Sequence, residues 1–173
     1  MAEIILAAPK DFPRVRAFYH SIIDEMQHLP WFPCWEKDIY PTDSQLMGYI
    51  NRREMHLILE NGEIAAAAAL GGNLDCSEEI RWPSSAAESE TAAVCMVAVH
   101  PKFARRSLAK QMIAHFQQLA RKRGLRALRL DIVDCNEPAR RLYTSLGFQY
   151  VDRTTIMFDD GSSLCFELYE CIL

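Results

Sequence analysis

The sequence predicts one α/β domain in which a mixed sheet of about seven strands packs against about four helices. Short apolar runs typical of strands alternate with amphipathic stretches typical of helices along the whole chain. The chain has 173 residues, and 50% of them are hydrophobic, which suffices for a sizeable core and excludes a disordered protein. No repeat, low-complexity stretch or linker divides it, so residues 1–173 are expected to form a single domain.

The N-terminal half predicts a strand, two helices and a β-hairpin. Apolar residues recur with helical spacing over 11–27, and Thr42 suits the N-cap of a second helix. Asn61-Gly62, between two apolar runs, is typical of a type I′ hairpin turn. The predicted elements are strand 3–7, helix 11–27, a loop rich in Pro and Trp over 28–41, helix 42–52, and strands 55–60 and 63–72.

The C-terminal half begins with a polar, turn-rich segment over 73–90. The continuous apolar run that follows it is typical of a buried strand. Two helices have recognisable ends: Gly124 stops the first, and Asn136 and Gly147 bound the second. The predicted elements are strand 91–100, helix 104–124, strand 126–133, helix 136–147 and two final strands around Asp159-Asp160-Gly161.

Charge and composition narrow the class of protein. The balance of 19 basic against 23 acidic residues gives a net charge of −4, which predicts no binding to nucleic acid or to a membrane surface. The first 15 residues lack a basic region typical of a signal peptide, and no apolar run could span a bilayer, so we expect a cytoplasmic protein. The six cysteines have neither C-x-x-C nor zinc-ligand spacing, which predicts reduced structural thiols, Cys95 included, and no metal site.

The stretch "VHPKFARRSLAKQMI" (99–113) joins a predicted strand to a predicted helix. The first N–H groups of a helix have no acceptor within the helix, and they favour an anion such as phosphate. Nine of the 19 basic residues fall between 102 and 129, although the chain as a whole is acidic. The stretch therefore predicts a phosphate site, and a merely basic first turn on a solvated helix is the alternative.

A second stretch, "LDIVDCNEPARRLYTSLGF" (130–148), joins a strand, an Asn turn, a short helix and a further strand. It resembles the GNAT-type N-acetyltransferases, which use acetyl-CoA and have Asn after the strand, then A-x-x-L-Y, then G-F. The matching residues are Asn136, Ala139, Leu142, Tyr143, Gly147 and Phe148. The upstream family signature V-x-P-x-x-[QR]-G-x-G-[IVL]-[GA] is matched by Val99, Pro101, Leu108 and Ala109.

The upstream signature also departs from the family pattern. The family's Arg or Gln falls at Ala104, and its two following glycines fall at Arg105 and Ser107. Serine serves such a loop if its φ angle is negative, whereas a positive φ would cost about 1 kcal/mol relative to glycine. We interpret the loop as a working but altered phosphate cradle, with a degenerate cradle as the alternative.

The resemblance implies which residues hold acetyl-CoA. The strand over 94–99 would splay from its neighbour and pair with the pantetheine arm, and residues 104–110 would hold the pyrophosphate. The implied cofactor-binding residues are Val97, Ala98, Val99, Ala104, Arg105, Arg106, Ser107, Leu108, Ala109, Lys110, Asn136, Ala139 and Tyr143. Tyr143 would also be the general acid that protonates the leaving thiolate. The alternatives are a core role for Tyr143 and a plain N-cap role for Asn136.

The acceptor amine needs a base and a binding wall. A carboxylate acting through water would remove the amine proton, and Glu90, just before the central strand, is our candidate. Asp75, Glu78 and Glu79 are further candidates, and a solvated loop carboxylate is the alternative for each of the four. The segment "PWFPCWEKDIYPTDSQL" (30–46) resembles one that covers the acceptor channel in a bacterial subgroup of the family, so Trp31, Trp35 and Tyr40 are expected to contact the acceptor. A lid packed on the core is the alternative.

The resemblance therefore implies an N-acetyltransferase that moves an acetyl group from acetyl-CoA to a primary amine by direct attack. A small-molecule acceptor is favoured over a protein amine. A CoA-binding module without catalysis is the main alternative, because Ala104 and Ser107 depart from the family pattern. An α/β interaction domain without a cofactor would need both motifs to be accidental. A homodimer is compatible with the sequence, which does not fix the oligomeric state.

Overall fold

The structure is a computed structural model and describes residues 3–74, 80–157 and 161–173. Within these residues the chain forms seven strands and four α-helices. The strands are β1 (Glu3–Leu6), β2 (Met55–Glu60), β3 (Glu63–Leu70), β4 (Thr91–Val99), β5 (Ala127–Val133), β6 (Gln149–Met157) and β7 (Ser163–Ile172). The helices are α1 (Phe12–Met26), α2 (Asp43–Asn51), α3 (Leu108–Lys122) and α4 (Glu137–Ser145).

All seven strands belong to one mixed sheet with the order β1-β2-β3-β4-β5-β7-β6. Neighbouring strands are antiparallel except for the central pair, β4 and β5, which is parallel. Parallel neighbours need a crossover, and helix α3 supplies it by running between the end of β4 and the start of β5. The central position of β4 explains why its sequence is continuously apolar, since both faces of the strand are covered.

Helices cover both faces of the sheet. One core lies beneath α1 and α2 and includes Val15, Tyr19 and Leu46, together with Met96 of β4. The other lies beneath α3 and α4 and includes Met112, Phe116 and Tyr143. The helical spacing of apolar residues over 11–27 and 104–124 therefore corresponds to the buried faces of α1 and α3.

The parallel pair β4–β5 is joined only at its beginning. Its register runs over three pairs, from Thr91 opposite Ala127 to Ala93 opposite Arg129. Both strands continue beyond this point, β4 to Val99 and β5 to Val133, without pairing to each other. We call the gap between the two strands beyond Ala93 and Arg129 the opening.

The fold predicted from the sequence is confirmed. The order of elements agrees throughout, and most predicted boundaries lie within a few residues of the observed ones. The hairpin turn occurs at Asn61 and Gly62, whose φ angles of 52° and 81° suit the predicted type I′ turn. Asp159 and Asp160 of the predicted final turn lie outside the described residues. No helix within the described ranges is both long and apolar enough to cross a membrane.

Candidate active site

A bulge shapes the edge of β4 that borders the opening. The register with β3 shifts between Ala67 and Ala69, and Met96 has a φ angle of 59°. The buried hydroxyl of Tyr19 donates a hydrogen bond to the Met96 carbonyl over 2.7 Å, which fixes the bulge against α1. As a result Cys95 and Met96, although adjacent, both pack toward the α1–α2 side of the sheet.

Beyond the bulge, the backbone of β4 alternates between its two neighbours. His100 donates its N–H to Ala65 of β3 over 3.0 Å. Because backbone groups of an extended strand point alternately to either side, those of Ala98 also face β3, and those of Val97 and Val99 face the opening. The geometry thus leaves unpaired backbone groups at two positions that the sequence assigned to the pantetheine arm.

A cleft of about 240 Å³ follows this edge. Its lining is almost entirely apolar and comes from α1, the loop after α1, the end of β4, the first turn of α3, and α4. The lining residues include Met26, Trp31, Trp35, Val97, Ala98, Val99, Ala109, Asn136, Ala139 and Tyr143. The cleft therefore brings together seven of the predicted cofactor residues and two of the three predicted acceptor residues.

Helix α4 presents Asn136 and Tyr143 to this cleft. The Asn136 side chain accepts a hydrogen bond from the Ala139 N–H over 3.1 Å and so caps the helix. Tyr143, two turns further on, is 6% exposed and packs edge-to-face on Phe148 with ring centroids 5.6 Å apart. Burial raises the pKa of the Tyr143 phenol above its ordinary value, and the nearby charges of Asp131 and Cys95 raise it further. The phenol therefore carries its proton at neutral pH.

The loop between β4 and α3 has two residues in the left-handed region. Arg105 has a φ angle of 64° and Ser107 one of 56°, and these are the positions of the two family glycines. The first intrahelical hydrogen bond of α3 runs from the Gln111 N–H to the Ser107 carbonyl. The N–H groups of Leu108, Ala109 and Lys110 therefore have no acceptor within the helix and are available to an anion.

Two cations of this loop are already paired with the β2–β3 hairpin. Lys102 contacts Glu63 at 2.6 Å, and Arg106 contacts Glu60. Among the described residues Arg105 and Lys110 have no ion-pair partner, and both are exposed. Arg105 and Lys110 are thus free to meet phosphate, whereas Arg106 would have to leave Glu60.

Asp131 lies on β5 at the opposite side of the opening. The last β4–β5 pair is Ala93 with Arg129, and Cys95 and Asp131 each lie two residues beyond it on their own strands. Because side chains alternate between the two faces of a sheet, Cys95 and Asp131 lie on the same face, on either side of the opening. Solvent reaches the carboxylate, but surrounding protein atoms raise its pKa from the ordinary value by desolvation. The same surroundings, with the Asp131 charge, raise the pKa of the Cys95 thiol to about 11, so this thiol stays protonated and is a poor nucleophile.

The three aromatic residues predicted to contact the acceptor lie on the same side of the sheet as Cys95. Trp35 packs edge-to-face on both Tyr19 and Phe32, at centroid distances of 5.7 and 5.9 Å. Trp31 and Trp35 line the cleft, whereas Tyr40 lies outside its lining. Burial, together with the charge of Asp131, raises the pKa of Tyr40 to about 12.

The predicted base Glu90 lies at the other end of β4. It precedes Thr91, where β4 and β5 are still paired, and it contacts Arg126 at 3.2 Å on the surface. Val97 is seven residues further along the strand, a distance of roughly 23 Å at 3.3 Å per residue. This position keeps Glu90 away from the cleft. The other carboxylates considered, Asp75, Glu78 and Glu79, lie outside the described residues.

Sequence reasoning missed Asp131. The signal was present, because a single carboxylate interrupts the apolar run "LRLDIV" that forms β5. A charge at such a position must be paired, neutralised or used. The resemblance implied that the central strand splays, but it did not indicate that the separation from β5 begins just before this residue.

The opening beside the central parallel pair, the apolar cleft and the free N–H groups at the start of α3 lie together at one edge of the sheet. The model of the acetyltransferase (GNAT) family matches residues 16–148. The chain therefore belongs to the GNAT family. No curated protein has a sequence close enough to match this chain.

Solved structures with this fold include three that are similar over nearly the whole chain. A GNAT-family acetyltransferase from Streptococcus agalactiae has a TM-score of 0.77 at 20% identity and covers 99% of this chain and 95% of its own. A putative acetyltransferase from Salmonella typhimurium, solved with its cofactor acetyl-CoA, has a TM-score of 0.74 at 20% identity, with coverages of 100% and 94%. The ribosomal-protein-S18-alanine N-acetyltransferase from Escherichia coli has a TM-score of 0.69 at 21% identity, with coverages of 99% and 94%. At these identities the likeness concerns the fold.

Proposed function

We propose that the protein transfers the acetyl group of acetyl-CoA to the primary amine of a small molecule. The observation that carries this proposal is the pair of proton-transfer groups at the opening, with Asp131 on β5 and Tyr143 on α4. Asp131 lies on β5 just beyond the last β4–β5 pair, and Tyr143 lines the cleft along the β4 edge of the opening. Tyr143 packs with the core beneath α3 and α4, whereas Asp131 faces the α1–α2 side, so a reacting group in the opening lies between them.

The residues around the opening fit acetyl-CoA. The unpaired backbone groups of Val97 and Val99 suit the amides of the pantetheine arm, and the apolar cleft suits its carbon chain. The free N–H groups at the start of α3, with Arg105 and Lys110, suit the phosphates. Bound there, acetyl-CoA supplies an activated thioester.

Asp131 is our candidate for the general base, in place of Glu90. The amine must lose a proton as its nitrogen forms the bond to the acetyl carbon, and a carboxylate acting directly or through one water can accept it. Desolvation raises the pKa of Asp131, and a carboxylate with a raised pKa is a stronger base in its ionised form. The base must be ionised, so activity is expected to rise with pH through this raised pKa.

Tyr143 is our candidate for the general acid. As the carbon–sulfur bond breaks, the sulfur takes up a proton, and a protonated phenol beside it can donate one. Tyr143 stays protonated at neutral pH because the pKa of its phenol lies above the ordinary value. The proton gained by Asp131 and the proton lost by Tyr143 balance over the reaction.

A CoA-binding module without catalysis is the second candidate. The positive φ angles of Arg105 and Ser107, at non-glycine residues, favour it because they strain the phosphate loop. The ion pair between Arg106 and Glu60 favours it as well, since it withdraws one cation from the phosphates.

Two measurements distinguish these candidates. Acetyl-CoA should raise the melting temperature in either case, because a ligand that binds only the native state stabilises it. Only a transferase should release free thiol from acetyl-CoA when a panel of primary amines is added. Stabilisation without thiol release across the panel would support the binding module, and the absence of stabilisation at millimolar acetyl-CoA would contradict both.

Cytoplasmic location and a homodimer remain predictions. The first depends on the composition of the sequence, the second is only compatible with it, and both are independent of the site described above.

A further inference from the structure

The charges around the opening suggest which amines it accepts. We propose that the acceptor is an amine with an apolar or aromatic body and no carboxylate beside its amino group. This inference rests on the proposed function, because it concerns the acceptor of the same reaction. It follows from the distribution of charge and aromatic surface on the sheet face that carries Cys95 and Asp131.

Asp131 brings negative charge to the opening, and no cation within residues 3–74, 80–157 and 161–173 pairs with it. Among the described residues Asp131 makes no ion pair, and the residues that line the adjoining cleft carry no charge. An ammonium group is attracted to such a site. A carboxylate attached next to that ammonium would lie close to Asp131 and be repelled by it.

The nearest cation on the same strand face is Arg129, two residues before Asp131, and it is fully engaged. Its Nε lies 3.0 Å from a Glu170 oxygen, and its guanidinium stacks over the Trp82 ring at 4.2 Å. Ser84 completes the group by donating its N–H and its hydroxyl to the two Glu170 oxygens, over 2.8 and 2.7 Å. We call Arg129, Glu170, Trp82 and Ser84 the latch.

Within the latch, Arg129 is not accessible to a substrate carboxylate. The Arg129 side chain is 9% exposed and the Glu170 side chain 0%, so a substrate reaches neither of them. Two other arginines of the surrounding elements are also paired: Arg16 with Asp38 and Asp43, and Arg140 with Glu167. None of these three arginines is therefore free to bind a substrate carboxylate through two parallel hydrogen bonds.

Aromatic and apolar side chains supply the rest of the acceptor wall. Trp31 and Trp35 line the cleft, and Tyr40 lies in the same loop, bridged to Glu36. Aromatic faces bind apolar bodies by contact and ammonium groups by cation–π attraction. Such a wall should bind an amine with one positive charge and an apolar body more tightly than a polyamine or a free amino acid.

The decisive comparison uses phenylalanine and phenylalaninamide, which have nearly the same size but differ in the carboxylate charge. Binding is measured by titration calorimetry on the protein saturated with CoA, which carries no acetyl group, so no transfer occurs. We expect phenylalaninamide and phenethylamine to bind at least about ten-fold more tightly than phenylalanine, and spermidine to bind more weakly than phenethylamine. Equal binding of phenylalanine and phenylalaninamide, or tighter binding of spermidine, would overturn the inference.

Acetylation rates and two variants complete the test. The same order of kcat/KM is expected with acetyl-CoA, and Asp131→Asn is expected to reduce the preference for the amide to within about three-fold. Arg81→Ala removes an exposed cation next to Trp82 and should leave the preference unchanged. Thiol release that is as fast with phenylalanine as with its amide would refute this inference and leave the proposed transferase intact. Binding of acetyl-CoA with no thiol release and no bound amine would refute both.

Discussion

Arg129 and Asp131 are two charged residues on the same face of β5, but their surroundings are opposite in kind. Arg129 is enclosed by a carboxylate, an aromatic ring and a loop that supplies two further hydrogen-bond donors to that carboxylate. Asp131 faces the opening and has no ion-pair partner in the part of the chain that the structure describes, and desolvation raises its pKa. The two positions lie where β4 and β5 separate, so a paired charge and the charge that we propose to be reactive lie on either side of one change in strand pairing.

The difference has a physical meaning. A buried charge that is fully paired contributes to a fixed structure, and breaking the pair leaves its partner desolvated and uncompensated. A desolvated charge without a partner costs folding free energy, and a protein retains it where a reaction uses it. The two positions should therefore respond to neutralisation with opposite changes in the free energy of unfolding, and only one of them should change the chemistry.

The largest expected effect on stability is that of Glu170→Gln, which removes the negative charge of the latch. We expect the free energy of unfolding to fall by about 3–5 kcal/mol, because Arg129 is left buried without its counterion. Urea denaturation followed by circular dichroism measures this loss. Glu90→Gln is the matched control, since the Glu90–Arg126 pair is exposed, and it should change stability little. If Glu170→Gln were as stable as the wild type, the latch would not be a structural ion pair.

Asp131→Asn should lower the rate of the reaction without loss of stability, whereas Glu170→Gln lowers stability. We expect kcat/KM to fall between about 10²- and 10³-fold, within the range given by positioned bases, with unchanged affinity for CoA. The folded-state pKa of Asp131 is raised above its unfolded value, so the ionised carboxylate costs stability at neutral pH, and this cost shrinks as pH falls through the folded-state pKa and vanishes below the unfolded value. The variant should therefore be at least as stable as the wild type at pH 7, and this advantage should vanish in acid.

The pH profile gives a second measure of the same residue. The acid limb of kcat/KM should follow the raised pKa of Asp131 in the wild type and be absent in Asp131→Asn. Glu90→Gln, which tests the base predicted from the sequence, should retain both the limb and the rate. An Asp131→Asn enzyme with a normal rate would remove Asp131 from the mechanism.

Tyr143→Phe should produce the next largest loss, about 10²-fold in kcat, with near-normal CoA affinity. The change removes one oxygen and keeps the ring that packs on Phe148, so the core should be preserved. The loss should shrink for an acetyl donor with a more acidic thiol, because a better leaving group needs less proton donation. Measuring kcat with two donors checks this, and an equal loss for both would assign the effect to packing.

The sequence predicted the fold and most of the cleft because these features depend on local patterns. Alternating polarity, helix caps and the Asn61-Gly62 turn act over a few residues, and the two motifs lie in adjoining elements. The role of Asp131 depends on where a parallel strand pair ends, and no local pattern records that point. The latch was missed for the same reason, since Glu170 lies 41 residues from Arg129 and 86 from Ser84.

The smallest expected effect concerns Ser107, whose backbone adopts the left-handed conformation at a glycine position of the family. Ser107→Gly should raise the free energy of unfolding by about 1 kcal/mol, because glycine adopts a positive φ without the steric cost of a side chain. Ser44→Gly, in the exposed first turn of α2, is the control and should be destabilising by about 0.5 kcal/mol.

Ser107→Ala keeps the backbone cost and removes only the hydroxyl, so weaker CoA binding by about 0.5–1.5 kcal/mol would indicate a hydrogen bond to phosphate. Calorimetry on both Ser107 variants separates the two effects. If Ser107→Gly lost stability and also bound CoA more weakly, the serine would be holding this conformation through its side chain, and the loop would be adapted rather than strained.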